Sequence, residues 1–397
     1  MAINNEQNKL NVPPLRFPEF HGEWEEHGLS EYLDFKNGLN PDSKRFGKGI
    51  KFISVMDILN NPVITYDCIR ASVQATDAEM SSFSVEYGDI LFQRSSETLG
   101  DVGRANVYID DKVAVFGGFV IRGKKKANYN PLFFRYLLSS PYARKRIIPM
   151  GAGAQHFNIG QEGLSKVLLN FPSIEEQTKI ASLLHLLDER IATQSKLIEK
   201  LESLIKGIVD CTILRKEKNA IIGDVCSISE QISAEANIDD IITVRLHGNG
   251  VCKSSAENLQ LGATQYYRRR AGQLIYGKQN FHNGAIGIVP ISLDNGITSK
   301  DIPSFDIDEI KCNSVYLLAQ LQSPQYYKPA EALTTGTGSK RLKEETFLKM
   351  PIVLPNKREQ DNIAVLIHRA SMNLDHAKRL LELLSIQKQF LLRQMFI

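Results

Sequence analysis

The segment FPSIEEQTKIASLLHLLDERIATQSKLIEKLESLIKGIVDCTI, from Phe171 to Ile213, is predicted to form one long helix. Its apolar residues recur at alternating steps of four and three, which is the heptad pattern of a helix that packs along one seam. One polar residue, Gln194, interrupts the seam near its middle. The predicted seam positions are Ile180, Leu184, Leu187, Ile191, Gln194, Ile198, Leu201 and Ile205.

The same pattern returns at the end of the chain, at a constant offset in the numbering. Phe171-Pro172 and Leu354-Pro355 are separated by this repeat offset (354 − 171 = 183), and so are Glu176-Gln177 and Glu359-Gln360 (359 − 176 = 183). A single apolar stripe usually marks only a buried helix face, but two stripes in one register with matching entry residues indicate an internal repeat. The second set of seam positions is Ile363, Ile367, Leu374, Leu381 and Leu384.

Composition indicates an ordinary globular protein of two or three domains. Of the 397 residues, 43% are hydrophobic and 23% charged, and no stretch approaches the ~18–20 apolar residues of a membrane span. The polar start lacks the apolar core of a secretory signal, so we expect a cytoplasmic protein. The five cysteines are widely spaced without a C-x-x-C pair, which argues against a disulfide framework and a zinc site. A net charge of +3 permits a nucleic-acid partner without requiring one.

The remaining sequence divides into an arm and two mixed domains, so the predicted fold class is α+β with two mixed α/β domains in tandem repeat. Three prolines in residues 1–20 favour an extended arm. A mixed domain follows at 21–172, the central long helix at 173–214, a second mixed domain at 215–355 and a C-terminal long helix at 356–397. The predicted strands are Gly49–Ser54, Gly88–Phe92, Ala114–Ile121, Ile241–Leu246, Gln273–Tyr276 and Ala285–Val289, and the predicted short helices are Asn130–Ser139 and Val315–Leu321.

A glycine-rich pair of motifs precedes the entry to each long helix. GAGAQ spans residues 151–155 and GTGSK spans residues 336–340, each before a predicted short helix and strand. Two interpretations stay open for them, a flexible turn and a backbone cradle for a phosphate group.

Three stretches carry a resemblance to a known family. They are PPLRFPEFHGEW from Pro13 to Trp24, YGDILFQRSSETLGDVGRA from Tyr87 to Ala105, and GAGAQHFNIGQEGLSKVLLNFPSIEEQTKIASLLHLLDERI from Gly151 to Ile191. With the order arm, mixed domain, long helix, mixed domain, long helix, they make almost the whole chain similar to the specificity subunit of Type I restriction-modification enzymes. The second half departs from the pattern, since AGQLI stands at residues 271–275 where the first half has YGDIL at 87–91.

The resemblance implies a DNA-recognition subunit that is not itself an enzyme. In this family each mixed domain is a target recognition domain that reads one half of a split site in double-stranded DNA. The two long helices form an antiparallel coiled coil and dock two methyltransferase (modification) subunits, through which restriction and translocase subunits join. No cofactor or metal is therefore expected on this chain, while AdoMet, ATP and Mg²⁺ are expected on the partner subunits.

Helix length agrees with that arrangement. A helix of about 42 residues spans roughly 60 Å at 1.5 Å per residue, which suits two domains on neighbouring major-groove faces that recur about every 34–36 Å. In an antiparallel pair Gln194 would lie opposite Leu381, and Lys388 would lie opposite Leu187. A polar residue in such a seam lowers stability and can fix the register.

Basic and amide side chains in both mixed domains are the candidate DNA-binding residues. The best cluster is Tyr266-Tyr267-Arg268-Arg269-Arg270, because aromatic and guanidinium groups together suit phosphates and base edges. Arg94 and Gln155-His156 lead in the first domain. The candidate DNA-binding set is Lys44, Arg45, Arg94, Gln155, His156, Arg268, Arg269, Arg270, Lys278, Lys340 and Arg341.

Two other functions are alternatives to DNA recognition. A stand-alone DNA nuclease could be built from Asp294 with Glu309 and Lys311, but so short a pattern arises often by chance. No G-x-x-x-x-G-K-[ST] phosphate loop occurs, so the sequence gives no support for ATP-driven translocation on this chain. A helical scaffold without DNA binding would explain the long helices and leave the duplicated mixed domains without a role.

Overall fold

The computed structural model of the protein describes residues 11–153, 155–254, 264–336 and 340–397. The chain forms two structural units. Unit 1 contains the residues up to Gln194 together with Leu380–Ile397, and unit 2 contains Ser195–Arg379. Each unit therefore holds a mixed α/β part with a segment of both long helices.

The helices are α1 Leu29–Tyr32, α2 Val55–Asn60, α3 Asp77–Phe83, α4 Pro131–Ser139, α5 Pro141–Ile147, α6 Gln161–Ser165, α7 Ile174–Val209, α8 Ser314–Leu321, α9 Pro324–Tyr327, α10 Glu344–Leu348 and α11 Lys357–Gln394. A π-helical turn, Asp210–Leu214, follows α7. No helix in the described part of the chain is both long and apolar enough to span a membrane.

The strands of unit 1 are β1 Glu25–Gly28, β2 Leu33–Asn37, β3 Phe46–Ile53, β4 Ser72–Val73, β5 Ser84–Val85, β6 Ile90–Gln93, β7 Ser95–Ser96, β8 Ala105–Val107, β9 Ala114–Phe116, β10 Val120–Lys125, β11 Phe157–Asn158 and β12 Leu168–Phe171. Those of unit 2 are β13 Ala220–Ile221, β14 Cys226–Ile228, β15 Ser233–Ala234, β16 Ile242–Val244, β17 Val251–Lys253, β18 Tyr266–Arg268, β19 Leu274–Tyr276, β20 Ile286–Ile288, β21 Ile297–Ser299, β22 Ser304–Ile307 and β23 Pro351–Ile352.

Unit 1 is built on two four-stranded sheets. One is antiparallel, in the order β2-β10-β6-β8, and the other has the order β4-β3-β9-β5 with β3 and β9 parallel. The first sheet packs on α4 and α5 through a core rich in aromatic residues, including Phe92, Phe133 and Phe134. Strand β1 pairs with β12 and so ties the start of the domain to the entry of α7.

Unit 2 repeats the plan with shorter sheets. A four-stranded antiparallel sheet has the order β14-β22-β19-β20, beside a three-stranded sheet β15-β18-β21 and the pair β16-β17. Strand β13 pairs with β23 at the entry of α11, in the place that β1 and β12 occupy in unit 1. The order of mixed domains and long helices predicted from the sequence is confirmed.

Both long helices begin with the same local structure. Ser173 caps α7, since its hydroxyl accepts a hydrogen bond from the backbone N–H of Glu176 at 3.3 Å. Asn356, the equivalent of Ser173 by the repeat offset (356 − 173 = 183), accepts one from Glu359 N–H at 3.0 Å. Capping satisfies a donor that the first helical turn leaves free, so the sequence itself sets where each helix begins.

The long helices contact each other in an antiparallel sense within each unit. In unit 1, residues Ile180, Leu184 and Leu187 of α7 share a buried cluster with Leu384 and Leu391 of α11. In unit 2, Val209 near the end of α7 shares a cluster with residues 363–367 near the start of α11. Every predicted seam position is buried or half-buried in the structure.

One predicted strand is wrong in its extent. Ala114–Ile121 was expected to be continuous, but the structure has β9 and β10 with a tight turn at Gly117-Gly118-Phe119 between them. A Cβ at Gly118 would stand 1.8 Å from the side-chain oxygen of Asn40, and one at Gly117 would stand 2.6 Å from the ring of Phe52. The two glycines let the chain turn against these neighbours, and the apolar run on either side hid the turn.

Candidate nucleic-acid interface

Arg94 lies at the end of β6 beside the β9–β10 turn. Its backbone N–H donates to Phe119 O at 2.9 Å, and its side-chain Nη1 donates to Gly118 O at 3.2 Å. Its carbonyl accepts from the N–H of Ile159 at 3.0 Å. Arg94 is half-buried, and the turn holds its guanidinium while the N–H of Ile159 holds its backbone.

Gln155 and His156 come to the same edge of unit 1 as Arg94. Strand β11, which follows them directly, pairs with β7, which follows Arg94. Both side chains are exposed. Side chains from two distant parts of the sequence therefore meet at one edge, where they present an amide, an imidazole and a guanidinium. Residue 154 of the glycine-rich motif lies outside the described residues.

Phe119 completes this edge and was missed in the sequence. It is 69% exposed at the tip of the β9–β10 turn, which is unusual for a large apolar side chain with no neighbour to cover it. An exposed aromatic beside a guanidinium suits apolar contact with a base methyl group next to a hydrogen-bonded base edge. The signal was the Gly-Gly-Phe sequence inside an apparently continuous strand.

Lys44 and Arg45 lie in a short 3₁₀ turn before β3, and they differ in exposure and in their hydrogen-bond partners. Lys44 is exposed, whereas Arg45 donates from Nη1 to Glu79 at 3.0 Å and from Nε to Gln74 O at 2.9 Å. The hydrogen bond from Arg45, with a backbone N–H and the arginine charge, lowers the pKa of Glu79 to about 2. Arg45 thus anchors the turn to α3, and Lys44 is the free cation of the pair.

The consecutive residues Arg268, Arg269 and Arg270 point to alternating faces of an extended chain. Arg268 and Arg270 are exposed, while Arg269 has 0% exposure. The Arg269 guanidinium donates to Thr298 Oγ1 at 2.7 Å, Ser304 Oγ at 2.9 Å and Ile302 O at 3.0 Å. Burial lowers its pKa to about 10. Because it lies inside and its donors are used, we remove Arg269 from the DNA-contact set.

Each of the other candidates in unit 2 has a carboxylate neighbour. Lys278 is largely buried and pairs with Glu344 at 2.6 Å, so it holds β19 to α10 rather than facing solvent. Arg341 is half exposed and its Nη2 lies 3.3 Å from Asp301. Lys340 is exposed, with Glu331 at 4.0 Å. Residues 337–339 of the second glycine-rich motif lie outside the described residues.

A groove of ≈ 690 Å³ in unit 2 includes one of these basic candidates, Arg341. Tyr266 and Tyr267 of β18 also line it, together with Lys300 and Asp301. Lys300 was missed in the sequence because it stands alone in the chain. The partly exposed Tyr267 and the two cations give this groove groups that suit a sugar-phosphate chain and its base edges, although Asp301 already pairs with Arg341.

The residues of the rejected nuclease have ordinary partners. Asp294 accepts a hydrogen bond from Ala271 N–H at 2.8 Å, and Lys311 pairs with Asp308 at 3.1 Å. Among the described residues, no group of three or more His, Cys, Asp or Glu side chains is arranged to hold a metal ion.

Comparison with known proteins shows what part of the sequence and the fold are similar to. Residues 21–203 match the family model described as Type I restriction modification DNA specificity domain. No curated protein sequence matches the chain.

One solved structure has a similar fold, and two others give lower scores. The specificity subunit of a Type I restriction-modification system from M. genitalium has a TM-score of 0.64 at 13% identity, over 97% of this chain and 99% of that chain. The HsdS subunit from Thermoanaerobacter tengcongensis gives 0.46 at 14% identity, over 96% and 97%. A third structure, from a study of assembly and conformational transition in a type I R-M system, gives 0.48 at 13% identity, over 93% and 96%.

Residues 21–203 are thus similar to a DNA specificity domain, and the fold over nearly the whole chain is similar to that of the M. genitalium specificity subunit. The family match supports DNA recognition as the function of the chain. The resemblance seen in the sequence is confirmed.

Proposed function

We propose that units 1 and 2 each read one half of a bipartite site in double-stranded DNA, and that the long helices dock two methyltransferase subunits. The edge formed by Arg94, Phe119, Gln155 and His156 reads one half. The groove between Tyr267 and Arg341, with Arg268 and Arg270 nearby, reads the other. The two half-sites differ in sequence because the two surfaces carry different side chains.

The observation that carries this proposal is the identical junction between each mixed domain and its long helix. Gln177 accepts a hydrogen bond from Asn130 N–H at 3.1 Å and donates to Pro172 O at 3.1 Å. Gln360 accepts from Asn313 N–H at 2.9 Å and donates to Pro355 O at 2.8 Å. All three pairs of positions differ by the repeat offset, so each domain is held on its helix by the same buried contact. Because both mixed domains are attached to their long helices in the same way, we infer that both have the same kind of role, each reading one half-site.

Exposed apolar side chains at repeat-related positions support the docking of two copies of one partner. Leu183 of α7 and Leu366 of α11 are 36% and 52% exposed. Leu197 and Leu380, which are related by the same repeat offset, are 44% and 41% exposed. Exposed leucines in a row on a helix are typical of surfaces that a partner covers.

In this proposal the chain itself catalyses no reaction. AdoMet for methyl transfer, and ATP and Mg²⁺ for translocation, belong on the methyltransferase and on the restriction subunits that join through it. The chain binds the methyltransferase subunits and places them at the DNA sequence that it recognises, in the cytoplasm.

Methylation mapping tests the proposal. The chain and its methyltransferase partner, alone and together, are incubated with genomic DNA and AdoMet, and methylated adenines are located by sequencing. We expect methylation only with both proteins present, at a site of two short parts with an unread spacer. Methylation by the partner alone at the same sites, or a continuous site, would contradict it.

A further inference from the structure

A cavity of ≈ 370 Å³ in unit 1 is lined by three arginines that the DNA-reading edge does not use. It lies between α2, the 3₁₀ turn Leu99–Asp101, β8, α4 and α5. Arg104, Arg135 and Arg144 line it, and no Asp or Glu is among its lining residues in the described part of the chain. Its remaining wall is mixed, with the apolar side chains Ile58, Leu59, Leu138 and Ile148 beside Asn61 and Asn106.

Two of the three arginines already have a carboxylate partner outside the cavity. Arg104 pairs with Asp101 at 2.6 Å and is more than half exposed at the mouth. Arg135 pairs with Asp188 at 3.1 Å. Both can keep these pairs and still present further N–H groups, since each guanidinium has five donors.

Arg144 has no such partner. Its Nη2 donates to the carbonyls of Gly100 at 3.0 Å and Val102 at 2.6 Å, which fixes the side chain against the 99–102 turn. Its Nη1 is buried and has no hydrogen-bond partner among the described residues. Burial, with the nearby charge of Arg104, lowers the pKa of Arg144 to about 10. At neutral pH the group is therefore charged, held in place and short of one acceptor.

The internal repeat shows that the equivalent helices of unit 2 form without two of these arginines. By the repeat offset, positions 135 and 144 correspond to Leu318 and Tyr327 in unit 2. Tyr327 is 3% exposed and packs in the core there. Unit 2 therefore builds the same helices with uncharged side chains, and the cationic cavity is a property of unit 1 alone.

We propose that this cavity binds a phosphate group, which accepts from Arg144 Nη1 and from Arg104 at the mouth. Planar guanidinium groups match the several oxygens of a phosphate, and the negative charge offsets the repulsion between the arginines. The group is either free, as inorganic phosphate or a nucleotide, or part of a DNA backbone. Binding of free phosphate does not depend on the proposed reading of half-sites.

Titration of the full chain with inorganic phosphate tests this directly. Calorimetry is run at constant ionic strength with sodium chloride as the comparison salt. Arg104→Gln keeps the fold because Arg104 is exposed, and we expect it to raise the dissociation constant for phosphate about tenfold, the loss typical of a charge-assisted hydrogen bond. Arg144→Gln should do the same, with its circular dichroism spectrum recorded as a check of folding. Arg70→Gln, at an exposed arginine outside the cavity, should bind as the wild type does.

The results separate the sources of the phosphate and can overturn the proposal. If Arg104→Gln also weakens binding to a random-sequence duplex and lowers its salt dependence, the phosphate belongs to DNA. If duplex binding stays unchanged, the ligand is a free phosphate. No phosphate binding above the chloride baseline, or equal affinity in wild type and Arg104→Gln, would refute the site. Failure to find a bipartite methylation pattern would leave this result untouched.

Discussion

Lys388 of α11 forms an ion pair with Asp188 of α7 within unit 1. The same carboxylate accepts from Tyr136 Oη at 2.9 Å and pairs with Arg135 at 3.1 Å, so one side chain joins α4 to both long helices. The register predicted from the heptads placed Lys388 opposite Leu187, the immediate neighbour of Asp188 in the sequence. Lys388, a polar residue in the seam of α11, is therefore explained by its ion pair with Asp188, which is next to the seam residue Leu187 of α7.

Replacing Asp188 with Asn should destabilise unit 1 at neutral pH by about 2 kcal/mol, because it leaves two partly buried cations without a counter-charge. Burial raises the pKa of Asp188, but the hydrogen bond and charge of Lys388, with Arg135, outweigh it and the pKa lies below its usual value. A lowered carboxyl pKa stabilises the fold above the unfolded pKa of about 3.9. That stabilisation is lost as the pH falls through the folded pKa.

Urea unfolding of both proteins at several pH values checks this sign. The difference between wild type and Asp188→Asn should be full at pH 7 and shrink below about pH 4. Glu162→Gln, which removes an exposed pair with Lys166, is the matched control and should change stability by less than about 0.5 kcal/mol. A difference that stays constant down to acid pH would show that the charge of Asp188 is not what stabilises the contact.

Gln360→Leu tests the repeated junction in unit 2. The substitution keeps the size of the side chain but leaves Asn313 N–H and the carbonyls of Lys311 and Pro355 without their buried partner. We expect a loss of about 3 kcal/mol, since unmade buried hydrogen bonds cost about 1–3 kcal/mol each and relaxation recovers part. Chemical denaturation measures it, with the exposed Gln325→Leu as control. Equal stability of the two variants would contradict the role of the junction.

The sequence predicted the long helices well because their evidence is spread over many residues. A seam that recurs along a whole helix, and again in a second helix at the repeat offset, survives any single exception such as Gln194. The junction glutamines were visible as matching letters, but their partners Asn130 and Asn313 were not, since a hydrogen bond between distant parts of the chain leaves no local pattern. Short strands such as β18 contain too few residues to show the alternation of buried and exposed side chains by which a strand is predicted.

Because β18 was not predicted from the sequence, Arg269 was included among the candidate DNA contacts although it is buried. As a block, Arg268-Arg269-Arg270 looked like a single cationic patch, yet an extended chain turns alternate side chains to opposite faces. The middle arginine therefore enters the interior beneath Thr298 and Ser304.

Arginine substitutions in this segment should separate DNA binding from stability. Arg268→Ala with Arg270→Ala should weaken binding to a duplex and lower the slope of log K against log salt by about 2, one for each lost phosphate contact. Arg269→Ala should instead destabilise unit 2 by about 2 kcal/mol through its unmatched acceptors. Gel shifts at several salt concentrations, with thermal unfolding in parallel, check both. The exposed Arg215→Ala is the control, and an unchanged slope in the double variant would exclude the pair as phosphate contacts.

Phe119→Ala should weaken DNA binding without changing its salt dependence. The ring is exposed, so its loss costs little stability, whereas burying a phenylalanine side chain against a base contributes about 1.5 kcal/mol. We expect about a tenfold loss for the preferred sequence and almost none for random DNA, measured by competition between duplexes. Val113→Ala, at another exposed apolar side chain of unit 1, should bind normally. Equal losses on both duplexes would assign Phe119 to backbone contact rather than to sequence reading.

Leu183 and Leu366 allow the two partner sites to be removed one at a time. Leu183→Glu places a charge in one apolar contact and Leu366→Glu places it in the repeat-related contact, and burying an unpaired charge in an interface costs about 3 kcal/mol or more. Each single variant should therefore bind one methyltransferase subunit in place of two, and the double variant none, as measured by native mass spectrometry. Leu333→Glu, at an exposed leucine away from both long helices, should keep two. Because the two positions are equivalent by the internal repeat, loss of both partners from one single variant would mean that the two sites do not act separately, and retention of both in the double variant would place docking elsewhere on the chain.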